Sequence, residues 1–109
     1  MSDYDYCKIY VEADLSYDSL KSTIARILDA PIEWRSIKSS SMSVDCYKNP
    51  FSKDGESDFI SWPYYLEVEA NSGFTGPGFV KDVQKLIESL KSEAMKVAPS
   101  CDFEDLLKI

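Results

Sequence analysis

Histidine is absent from the chain, and its absence removes whole classes of chemistry. A Ser-His-Asp or Cys-His site needs an imidazole to take and return a proton, and HExxH and the common zinc sets need it as a ligand. Cationic side chains are also short, with 12 Lys and Arg against 19 Asp and Glu, a formal net charge of −7 over 109 residues. A surface of that sign repels nucleic acid and anionic membranes and steers association with a positively charged protein. The three cysteines, Cys7, Cys46 and Cys101, are widely spaced and form no CxxC pair. Neither a disulfide framework nor a zinc site is expected, and the three are read as reduced thiols in the core. No run approaches the roughly 18 apolar residues of a membrane span. Met1-Ser2-Asp3-Tyr4-Asp5 has neither the positive start nor the apolar stretch of a signal peptide, so cytoplasmic residence with no membrane contact is expected.

What the chain does have is enough apolar content, 44%, to bury one core, and a single domain over residues 1–109 is expected. From Asp5 to Ala13 the residues alternate, with Cys7, Ile9, Val11 and Ala13 on one face and Tyr6, Lys8, Tyr10 and Glu12 on the other, as in a half-buried strand. Ser16 is placed to cap a helix over Tyr17 to Asp29, with Leu15 stapling onto Leu20, and Asp29-Ala30-Pro31 to stop it. A weaker extended segment, Ile32 to Ile37, and a Lys38 to Ser41 turn precede the alternating Met42 to Tyr47, which suggests a hairpin or one bent strand. Asn49 to Asp58 is polar and rich in breakers, and reads as a long mobile loop. Trp62 to Asn71 is the strongest later strand, expected at the centre of a sheet. Gly73 to Gly78 then opens a second helix with Pro77 in its first turn and an apolar stripe of Val80, Val83, Leu86, Ile87, Leu90 and Ala94.

This order predicts an α+β fold, a ferredoxin-like β-α-β-β-α-β sandwich, give or take an extra strand, with an antiparallel sheet and two helices on one face. The other face is expected to be open, and the first and last strands to be neighbours, bringing Cys7 towards Cys101. Alternation places Tyr6, Tyr10, Tyr47 and Tyr65 on the open face beside Glu12, Asp45, Glu67 and Glu69. Tyrosine supplies contact area at low entropic cost and carboxylates receive Arg or Lys, so these eight residues are the candidate partner-binding set. Aromatics on such a face also suit RNA, but a basic patch and the glycine-aromatic RNP1 pattern are missing. Gly73, Gly76 and Gly78 match neither GxGxxG nor GxxxxGK[ST], and Asp102, Glu104 and Asp105 lack fixed ligand spacing; they are read as a turn and a solvated tail. No catalytic residue, cofactor or metal is assigned.

Three stretches carry a resemblance: Pro-Tyr-Tyr-Leu-Glu-Val-Glu (Pro63 to Glu69), Phe-Val-x-x-Val-x-x-Leu (Phe79 to Leu86) and Ala-Pro-Ser-Cys-Asp-Phe-Glu-Asp-Leu (Ala98 to Leu106). Together they resemble the bacterial immunity proteins of contact-dependent growth inhibition and polymorphic-toxin systems. The resemblance implies a non-enzymatic inhibitor that binds and neutralises a cognate toxin domain in the cytoplasm, a nuclease acting on tRNA or DNA. A basic nuclease domain is the kind of partner the charge excess suits. Contact is expected on the open face and the Asn49 to Asp58 loop rather than at Cys101 to Asp105. The alternative expectation is a small-molecule-binding, ACT-like regulatory domain using the loop around Gly73 to Gly78.

Overall fold

The computed structural model describes residues 4–52 and 58–108. Chain order is β1 (Tyr6–Glu12), α1 (Tyr17–Leu28), β2 (Ile32–Glu33), β3 (Ser36–Lys38), β4 (Met42–Lys48), a 3-10 turn (Phe59–Ser61), β5 (Tyr64–Ala70), α2 (Pro77–Ser92), β6 (Lys96–Ser100) and a second 3-10 turn (Glu104–Leu106). Ser16 caps α1 by accepting a hydrogen bond from the Ser19 amide at 3.1 Å. Asp29 ends the helix in the left-handed region at φ 52, a conformation a short polar residue tolerates. Pro77 is the first residue of α2, where its missing N–H costs no hydrogen bond. Gly76 before it sits at φ 90, ψ −152, a region essentially restricted to glycine.

Six strands form one sheet in the order β2-β3-β4-β5-β1-β6, with every neighbouring pair antiparallel. The expected α+β class, antiparallel sheet and two helices are present, and β5 is interior as its pattern required. The sheet exceeds the expected four or five strands, because the extended segment after α1 is itself a hairpin, β2–β3, which carries the sheet beyond β4. Its turn, Trp34-Arg35, contains no glycine, proline or asparagine, so the sequence offers only an extended segment there.

Registers Cys7↔Val68, Ile9↔Leu66, Val44↔Val68 and Cys46↔Leu66 bring the apolar positions of β1, β4 and β5 onto one face. Leu20 and Ile24 of α1, and Phe79, Val83, Leu86, Ile87 and Leu90 of α2, bury against it as a single cluster. Each such side chain stabilises the fold by about 1.5–3 kcal/mol through removal from water. Two details of α2 depart from its expected stripe. Phe79 is fully buried and meets Phe103 edge-on at 5.8 Å, whereas Ala94 lies beyond the helix, exposed and at φ 65. Gln84 holds the C-terminal segment to α2 by donating to the Lys108 carbonyl (2.9 Å) and accepting from its amide (2.7 Å). As expected, β1 and β6 are neighbours, and the free thiols of Cys7 and Cys101 lie close enough to perturb each other's ionisation. Among the described residues no helix is long and apolar enough to cross a membrane.

Candidate functional site

The opposite face of the sheet is built in rows by strand register. One row is aromatic: Tyr47 pairs with Tyr65, and Tyr65 with Tyr10. Tyr47 and Tyr65 stack with centroids 4.9 Å apart and planes 11° apart, and Tyr65 to Tyr10 is 6.1 Å. Lys8 lays its ammonium over both Tyr65 (4.4 Å) and Tyr10 (4.9 Å), and Arg35 sits 4.9 Å from the Tyr47 ring. Cations held over ring faces order the row, in which Tyr10 is tilted 47° to Tyr65.

The neighbouring rows are acidic. Asp45 lies directly opposite Glu67, and Glu69 lies between Ser43 and Tyr6. Like charges directly opposed across strands disfavour the fold. Ser36 relieves part of this by donating its hydroxyl to Asp45. The ion pairs among the described residues are Lys21 with Asp18, Arg26 with Glu93 and Lys96 with Glu12, so Asp45, Glu67 and Glu69 form none there, although Lys8 is the cross-strand neighbour of Glu67. Burial, followed by the charge of Glu67, pushes the Tyr6 hydroxyl up to about 12, which leaves it a neutral donor beside those carboxylates.

Seven of the eight candidate residues therefore lie together: Tyr10, Tyr47 and Tyr65 in the aromatic row, with Tyr6, Asp45, Glu67 and Glu69 beside it. Glu12 is on the same face but at the far end of β1, where Lys96 meets it at 3.5 Å. Lys8, Trp34, Arg35 and Phe59 also belong to this region. Lys8 is on the same alternating face, but the other three lie in segments without a periodic pattern.

The face is not open along its whole length, because the flanks of the expected Asn49 to Asp58 loop return to it. Residues 53–57 lie outside the described part, but both flanks are tied to the sheet. Asn49 is buried, and its side-chain amide donates to the carbonyls of Ile60 (2.8 Å) and Trp62 (2.7 Å) while its Oδ1 accepts from the Phe51 amide (3.0 Å). The Asn49 backbone amide adds a bond to the Pro63 carbonyl at 2.8 Å. This clamp sets Phe59 against Tyr10 at 5.3 Å, extending the aromatic row. A cavity of about 310 Å³ remains between Lys8, Tyr10 and Tyr65 on the sheet and Asn49, Phe51 and Ile60 on the returning segments. Phe51 is 76% exposed and Ile60 50%, so the rim of that cavity is apolar.

The tail residues Asp102, Glu104 and Asp105 are exposed, and Glu104 accepts from the Cys101 amide at 3.3 Å. Among the described residues no group of three or more Cys, Asp or Glu side chains is arranged to hold a metal ion.

The fold and this face define a small α+β domain with an aromatic, acid-bordered sheet surface. Compared with known protein families, curated proteins and solved structures, the chain matches none of them.

Proposed function

We propose that the chain is an immunity-type inhibitor that binds and neutralises a cognate toxin domain, a nuclease, by direct contact through the open face of its sheet. The observation that carries this reading is the Tyr10-Tyr65-Tyr47 row beside Asp45, Glu67 and Glu69, three carboxylates in no ion pair among the described residues. Tyrosines supply ordered contact area, and the carboxylates await the Arg and Lys side chains with which a nuclease holds phosphate. A net charge of −7 speeds the encounter with such a domain. The resemblance of Pro63 to Glu69, Phe79 to Leu86 and Ala98 to Leu106 to immunity proteins supports the same reading. We read the sheet as a ferredoxin-like sandwich, β4-β5-β1-β6, to which the edge hairpin β2–β3 is an addition.

The test is to titrate the purified chain into the product of the adjacent gene, by calorimetry, and to express both in one cell. Binding tighter than micromolar and protection of the toxin-expressing cell are expected. Absence of both would end this reading.

A further inference from the structure

We propose that Trp34, at the tip of the β2–β3 hairpin, is the anchor with which the chain docks, its indole entering an apolar cleft on a basic partner protein. This rests on the immunity reading and names the residue on which the contact turns.

The pairs Ile32↔Ile37 and Glu33↔Ser36 leave a two-residue turn, Trp34-Arg35. Trp34 adopts φ 60, the left-handed region, where a Cβ crowds the backbone and turns ordinarily use glycine, asparagine or aspartate. A bulky aromatic in that conformation works against folding. Nor does the indole recover the loss by burial, since Trp34 is 77% exposed. A residue that burdens the turn and lies in water does its work outside the monomer.

The tip is also held ready. The Arg35 guanidinium lies 3.9 Å from the Trp34 ring centroid and 4.9 Å from that of Tyr47, so the indole is the outermost plate of the stack that continues through Tyr65. Lys21 donates to the Trp34 carbonyl at 3.0 Å, and the Arg35 carbonyl accepts from the Cys46 amide at 2.9 Å, fixing the turn backbone to α1 and β4. An exposed tryptophan with little freedom left to lose is the side chain that most often dominates a protein interface. Its partner's chemistry follows from the surroundings. The aromatic row leads inwards from Trp34, and Asp45 and Glu67 stand two residues along their strands from Tyr47 and Tyr65, about 7 Å away. Arg35, Lys21 and Lys48 stand beside the indole itself, so a cleft that admits it is uncharged at that end and carries its cations further along, where it reaches Asp45 and Glu67.

The experiment compares wild type with Trp34→Asn, which suits the left-handed turn, and Trp34→Phe, which keeps an aromatic plate. Melting temperature is read on the isolated chain, and affinity against the product of the adjacent gene. Trp34→Asn is expected to melt no lower than wild type while binding at least about 30-fold more weakly, with Trp34→Phe between the two in affinity. An Asn variant that melts several degrees lower would make the indole a structural cover, and an Asn variant that binds within about threefold of wild type would remove the anchor while leaving the immunity reading intact. Failure of the wild-type chain to bind overturns both. A wild-type dimer in sedimentation that Trp34→Asn dissolves would assign the indole to a second copy of the chain and overturn the proposal.

Discussion

Cys46 points from β4 into the core, and burial pushes its thiol up to about 12 from the ordinary 9.0. Cys7 is raised as well, by burial first and then by the neighbouring thiol of Cys101. Tyr6, on the other face, rises from 10.0 to about 12 for the same leading reason. In each case the folded chain keeps a proton that the unfolded chain releases at lower pH. The stability from these neutral groups is complete below the unfolded values and drains away as pH rises through the folded ones. The urea midpoint is therefore expected to fall steadily from about pH 9 towards pH 12. Cys46→Ala, which removes one of these protons, should make the decline shallower by up to about 1.4 kcal/mol per pH unit. Equal slopes for variant and wild type would show that the Cys46 thiol is not held neutral by the fold. That Cys7 and Cys46 are core residues was legible from their places in alternating strands. The left-handed conformation of Trp34 was not, because nothing in Glu33-Trp34-Arg35-Ser36 signals a turn.

At the scale of elements, periodicity carried most of the fold. β1, β4 and β5 alternate cleanly because one face is dry and the other wet, and α1 is bounded by a serine cap and a proline stop. The segment between β4 and β5 was not readable for a definite reason. Asn49 sits in a run of breakers, where asparagine ordinarily marks a turn, yet here its amide bonds to carbonyls 11 and 13 residues further on. No local pattern encodes such a clamp. Asn49→Ala is expected to leave the Ile60 and Trp62 carbonyls without their donor and to cost about 1–3 kcal/mol in urea unfolding. It should also raise amide exchange at Ser61 and Trp62, whose amides bond back to Asp58 and Phe59, while β1 and β5 stay protected. If exchange at Ser61 and Trp62 does not change, the clamp is not what holds Phe59 on Tyr10.

For the whole molecule, the question is what an acidic sheet face gains from opposing its own charges. Asp45 and Glu67 are direct cross-strand neighbours, a placement that weakens the isolated fold, and Lys8 lies over the tyrosines instead of pairing with Glu67 at ion-pair distance. The shared face was legible in the sequence because a two-residue period fixes which side chains lie together, whereas the opposition of Asp45 to Glu67 depends on strand register, which single-strand patterns do not encode. A basic partner turns that repulsion into attraction, so the same substitutions should move folding and binding in opposite directions. The double variant Asp45→Lys, Glu69→Lys replaces two negative charges by two positive ones and places an ammonium opposite Glu67, whose other cross-strand neighbour is Lys8. Its urea stability is expected to equal or exceed that of wild type. Its association rate with the toxin domain should fall on the order of tenfold, and the rate should depend less steeply on ionic strength, since steering acts through the charges that were reversed. Stopped-flow mixing over a series of salt concentrations measures both quantities. If the rate and its salt dependence match wild type while stability rises, the carboxylates are a burden on the sheet with no part in recognition, and the partner approaches from another side.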